Sequence, residues 1–112
     1  MNLEHQSLKK NLKKMNNQIT KEKLAKYFSI TTEAFNMAKK SSNRLPDLQK
    51  QREDFLDMIQ RYISDAKHFE ESDNGVNAFA ALNYAHGWLD AGARLGLFDV
   101  HDSRLFTVDD KE

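Results

Sequence analysis

Asn83, His86, Asp90 and Arg94 fall 3, 4 and 4 residues apart in a stretch, Asn83 to Gly96, that is otherwise apolar or small. On a helix this spacing stacks all four side chains on one face. Three kinds of chemistry are open to them. His86 and Asp90, at i and i+4, can chelate one side of a metal ion, but zinc needs three or four protein ligands, and His68, His101 or Asp65 would have to complete the set. The line can instead hold a ligand or a partner, with Trp88 at its edge as an aromatic anchor. Its simplest role is a solvated face, with Asp90 and Arg94 an ordinary helix pair of about 0.2–0.5 kcal/mol. Solvation is the leading expectation. If the line is functional, Asn83, His86, Trp88, Asp90 and Arg94 form the candidate binding surface, and no catalytic residue, metal or cofactor is assigned.

Other catalytic patterns are weaker. Arg61 and His68 are separated by six residues, as are Arg94 and His101, a spacing found in small helical bundles that cut RNA. Among so many arginines and histidines, such pairs arise readily by chance, and Gly96 breaks the second pair. Arg61 is better placed to pair with Asp57 or Asp65, one helical turn away. The chain has no Gly-x-Ser-x-Gly elbow, Gly-rich phosphate loop or His-Glu-x-x-His pair. With no cysteine it has no disulfide and no thiolate site.

A helix bearing the Asn83–Arg94 line is apolar around most of its circumference, so other elements must cover it. The chain's 112 residues suit one domain, and 39% hydrophobic with 30% charged residues suits a charge-rich helical protein. No apolar run approaches the roughly 20 residues of a membrane span, and no secretory signal opens the sequence, which together suggest a cytoplasmic location with no membrane partner. The net charge of zero conceals a division. Residues 1–52 carry 12 Lys+Arg against 4 Asp+Glu, net +8, and residues 53–112 carry 5 against 13, net −8. The two halves can neutralise each other side by side, or the basic end can reach a polyanion.

Residues 1–19 read as a basic arm, with Lys9, Lys10, Lys13 and Lys14 around an apolar stripe of Leu8, Leu12, Met15 and Ile19. So short a helix is marginal alone and orders only against a surface. The arm is expected to contact protein, and nucleic acid through its four lysines is the alternative. Residues 20–112 form the folded domain. Thr20 suits an N-cap, with Ile19 and Leu24 as a hydrophobic staple, and the stripe Leu24, Tyr27/Phe28, Thr31, Ala34/Phe35, Ala38 runs to Lys39-Lys40. Pro46 opens a second helix, whose seam is Leu48, Arg52, Phe55, Ile59, Tyr62, Ala66 and Phe69. Asp73 or Asn74 caps a third, which ends at Gly96. Short connections then predict an all-α, up-down-up antiparallel three-helix bundle. Phe98, Val100, Phe106 and Val108 alternate with a period of two, predicting a short C-terminal hairpin or a docked extended tail. Gly87 and Gly92, inside the third helix, predict close backbone packing against that tail or another subunit.

The run Tyr62-x-x-Asp65-Ala66-x-x-Phe69, with Asp73 in the turn and then Ala81-Leu82-x-Tyr84-Ala85-His86-Gly87-Trp88-Leu89-Asp90-Ala91-x-x-x-Leu95-Gly96, resembles the archaeal domain-of-unknown-function family 357. The likeness covers residues 20–98 and is concentrated after residue 60. It implies a small archaeal, cytoplasmic helical bundle and carries over no catalytic residues. The sequence therefore points to a protein-interaction or self-association module, with a homodimer or protein partner. A nucleic-acid accessory protein stands second, and a ribonuclease-like or metal-dependent enzyme third.

Overall fold

A computed structural model describes residues 19–108; the four lysines Lys9, Lys10, Lys13 and Lys14 lie outside the described residues. Three long helices follow one another: α1 (Lys21–Lys40), α2 (Gln49–Glu71) and α3 (Gly75–Leu95), with a 3-10 turn at Pro46–Leu48 leading into α2. Phe55 of α2 meets Trp88 while Tyr62 meets Tyr84, so α2 runs against α3. Tyr27 meets Phe79 and Thr31 meets His86, so α1 runs with α3. The bundle is up-down-up.

Local chemistry sets each boundary. The Thr20 hydroxyl accepts from the Lys23 N–H at 3.1 Å, and Ile19 packs against the cluster that contains Leu24, completing the staple. Ser41 ends α1, its hydroxyl donating to the Ala38 carbonyl at 2.7 Å. Asp73 takes a left-handed conformation (φ 57°) in the α2–α3 turn, and the Asn74 side chain accepts from Asn77 N–H at 3.3 Å. Gly96 closes α3 at φ 99°, where the Gly92 carbonyl accepts from the Gly96 and Leu97 amides at 3.1 and 2.9 Å.

The core lies along α3. Ala78, Ala81 and Ala85 are buried and keep the neighbouring helices close, while Ile59, Leu82 and Leu89 are fully enclosed. Leu48, placed on the α2 seam by its spacing, is instead 37% exposed, because the 3-10 turn rotates it away from the face that α2 buries.

No strand forms among the described residues, so of the two forms expected for the C-terminal segment, the docked tail is the one adopted. Alternation would leave every second residue exposed. Here the neighbours Leu97 and Phe98 are both buried, as are Leu105 and Phe106. A turn in which the Asp102 carbonyl accepts from the Leu105 and Phe106 amides lets adjacent side chains enter the bundle together. Phe98 lies against Gly92, where an added Cβ would come within 2.3 Å of the ring.

Arg52 is buried in the seam of α2, 7% exposed, and no carboxylate among the described residues pairs with it. Its guanidinium donates to the carbonyls of Leu97 (2.6 Å), Ser41 (2.8 Å), Ala38 and Lys39 (both 3.2 Å), and sits 5.4 Å from the centre of the Phe98 ring. Three of those carbonyls belong to the end of α1, where helical carbonyls lack partners and carry partial negative charge. One side chain of α2 thus caps α1 and pins the start of the tail. Arg52→Ala should lower unfolding free energy in urea by about 3 kcal/mol, since the Leu97, Lys39 and Ser41 carbonyls would lose this donor. Gly92→Ala should cost about 1–3 kcal/mol by the same measurement, because the Phe98 ring must move.

Candidate functional site

Along the Asn83–Arg94 line, Asn83, His86 and Asp90 border one hollow with Tyr27, Thr31 and Arg104. His86, Asp90 and Arg94 hold the tail. His86 Nε2 donates to the Leu105 carbonyl at 2.5 Å, and its Nδ1 is 3.4 Å from the Thr31 hydroxyl, so the ring ties α3 to α1 and to the tail. The Asp90 carboxylate accepts from the Thr107 N–H at 2.9 Å, while Arg94 donates to the Thr107 carbonyl at 2.8 Å. Two charged side chains one turn apart therefore satisfy both polar groups of one tail residue. These three residues of the line form a seam of the fold.

His86 and Asp90 approach to 4.0 Å, but among the described residues no group of three His, Cys, Asp or Glu side chains is placed to hold a metal ion. Arg61 is exposed and pairs with Asp57 at 3.0 Å. His101 bonds Asp99 at 2.9 Å, separately from Arg94. Arg104 joins Asp102 at 2.8 Å and reaches Glu33 of α1 at 3.6 Å. Its guanidinium and backbone N–H both donate to the Asp102 carboxyl and hold it below the ordinary carboxylate range.

Trp88 faces elsewhere, and Asn83 stands between the two sides. Trp88 stands edge-on to Phe55, with ring centres 4.7 Å apart, and Tyr84 stacks on Tyr62 at 5.4 Å. Together with Ala80, Asn83, Gly87 and Ala91 they line an open apolar groove of about 630 Å³ between α3 and α2. The groove continues at both ends. Val76, Ala80, Tyr84, Gly87, Ala91 and Leu95, spaced 4, 4, 3, 4 and 4, share the outward side of α3, and Val76, Tyr84 and Leu95 are 45, 63 and 57% exposed. Gly87 sits at the middle with no atom within 4 Å of where a Cβ would stand. The two internal glycines thus differ: Gly92 receives the tail, and Gly87 faces open space. Among the described residues nothing covers this stripe. Charge and hydrogen-bonding types drew attention to His86 and Asp90; Phe55, Tyr84 and Ala91 were missed. Their signal was the excess of apolar residues on a helix that only two others flank.

The fold and groove define a class: a small all-α bundle with a helix apolar on its outer as well as its inner side. The chain belongs to the family described as "Protein of unknown function (DUF357)", which matches residues 26–98 and so takes in all of α2 and α3 and most of α1. Comparison with curated proteins gives no match, and comparison with solved structures gives none. Among the described residues no helix is long and apolar enough to cross a membrane.

If Asp90 anchors the tail, Asp90→Ala should cost about 1–2 kcal/mol and speed hydrogen exchange at the Thr107 amide. For Asp102 the depressed pKa fixes the sign. Its stabilising link to Arg104 is complete above the carboxyl's unfolded pKa and is lost as pH falls through the lowered folded value. Carboxyl NMR titration should therefore place the Asp102 midpoint below an ordinary aspartate, and Arg104→Ala should raise it part of the way back, since the backbone N–H at 104 still donates.

Proposed function

We propose that the protein is a self-association module that pairs with a second copy through the outer side of α3. The observation that supports this is the apolar stripe from Val76 to Leu95, open along its length and centred on a glycine that packs against nothing. A glycine inside a helix costs about 1 kcal/mol relative to alanine. At Gly92 the tail explains that cost; at Gly87 a partner approaching close to the backbone would. The groove also has the composition of the inner part of an interface, with Trp88, Tyr84 and Phe55 as aromatic anchors and α3 carrying no charged residue between Gly75 and Leu89. A two-fold pair would cover the stripe on both copies at once.

Light scattering across a concentration series, from low micromolar upward, tests the reading. The full chain should give twice the monomer mass. Gly87→Glu should give the monomer mass with an unchanged circular dichroism spectrum, because the added side chain enters open space. Trp88→Ala should weaken the pair. A full chain that remains monomeric at millimolar concentration would overturn the proposal.

A further inference from the structure

We infer that the basic arm of a second copy, carrying Leu8, Leu12 and Met15, occupies the groove between α3 and α2, so that two chains pair by exchanging arms. This rests on α3's outer side being the contact surface, and it names what fills it.

The fit is one of length, pattern and charge. Leu8, Leu12 and Met15, spaced 4 and 3, make a narrow apolar stripe that a helix would hold on one side over about 10 Å. The groove from Ala80 to Ala91 extends about 16 Å along α3 at the same rise per residue, so three apolar anchors fit within it. Alanine and glycine on its floor let a second helix approach closely, and Trp88, Tyr84 and Phe55 form its apolar walls. The border contributed by α2 is acidic: Asp54, Met58, Tyr62 and Asp65, spaced 4, 4 and 3, share the side next to the groove, and both aspartates are exposed. Lys9 and Lys13, which flank the arm's apolar stripe, bring the opposite charge. This is the binding of an amphipathic helix in a groove, with anchors at helical spacing.

The connection favours exchange over folding back. Ile19 is already fixed in its own bundle, with its carbonyl 3.8 Å from where a Cβ on Gly75 would stand. Helical spacing puts Gly75 on the inward side of α3 with Ala78 and Leu82, opposite the stripe. An arm returning to its own groove must round the foot of α3 within Asn16-Asn17-Gln18. Met15 and Ile19 are four chain steps apart, at most about 14 Å, which is less than the roughly 16 Å or more of half a turn around a helix about 10–12 Å across. A connection too short to fold back delivers its segment to a neighbouring copy.

The absence of native cysteine makes the test clean. Full chains carrying Leu12→Cys are mixed with full chains carrying Gly87→Cys and oxidised mildly. The expected product is a disulfide-linked heterodimer, identified by mass, and the chain carrying both substitutions should link to a second copy. A disulfide within one chain, no cross-link, or a Gly87→Cys homodimer forming alone would each overturn arm exchange. Leu12→Asp should raise the dimer dissociation constant about tenfold or more while α1, α2 and α3 stay folded. Tight, salt-sensitive binding of a single-stranded RNA by the full chain would assign the lysines to a polyanion and overturn the inference as well. Light scattering keeps the two claims separate: a dimer without the heterodisulfide refutes arm exchange alone, and a monomer refutes self-association itself.

Discussion

A buried guanidinium held by main-chain carbonyls is the constraint on which one end of this bundle depends. Arg52 cannot shed its charge, so its hydrogens must be met by oxygen inside the fold. The carbonyls of Ala38, Lys39, Ser41 and Leu97 meet them, and none of the four belongs to α2 itself. The end of α1 and the residues just after α3 are therefore held in place relative to α2 by one planar group. Carbonyls at a helix end need donors, and a buried cation needs acceptors; each resolves the other's difficulty. The Phe98 ring covers the guanidinium, and Phe98 in turn requires the missing side chain at Gly92.

Once that end is fixed, α3 serves three sides with different chemistry. Small and branched apolar residues meet α1 and α2 inside. His86, Asp90 and Arg94 meet backbone groups of the tail on a second side, where hydrogen bonds matter more than ion pairing. The third side offers aromatic edges, the Asn83 amide and bare backbone.

Most of the fold was legible because it follows from local rules. Helical spacing, the Thr20 and Asn74 caps, Pro46 and Gly96 mark three helices and their order. The tail was harder. Alternation of Phe98, Val100, Phe106 and Val108 is consistent with a ribbon, but a docked irregular segment buries adjacent residues through its turns, and no periodicity announces it. Arg52 was visible as a charge within an apolar seam, yet its partners are main-chain carbonyls, which every sequence possesses and none displays. The polar line hides its partners for the same reason: Thr107 engages Asp90 and Arg94 through its backbone. The groove left a clearer trace, since two flanking helices cannot cover a third that is apolar all round.

The docked tail also dictates an order of events during synthesis. The Arg52 guanidinium is made early, but one of its carbonyls and the ring above it arrive only with Leu97 and Phe98, and His86 and Asp90 wait longer still for Leu105 and Thr107. Before these residues emerge, α3 can lay its inner face on α1 and α2 while its tail seam stays uncovered. The bundle therefore completes its packing only once Thr107 is free, and a nascent chain exposed only as far as Gly96 would present chaperones with three helices and an open seam.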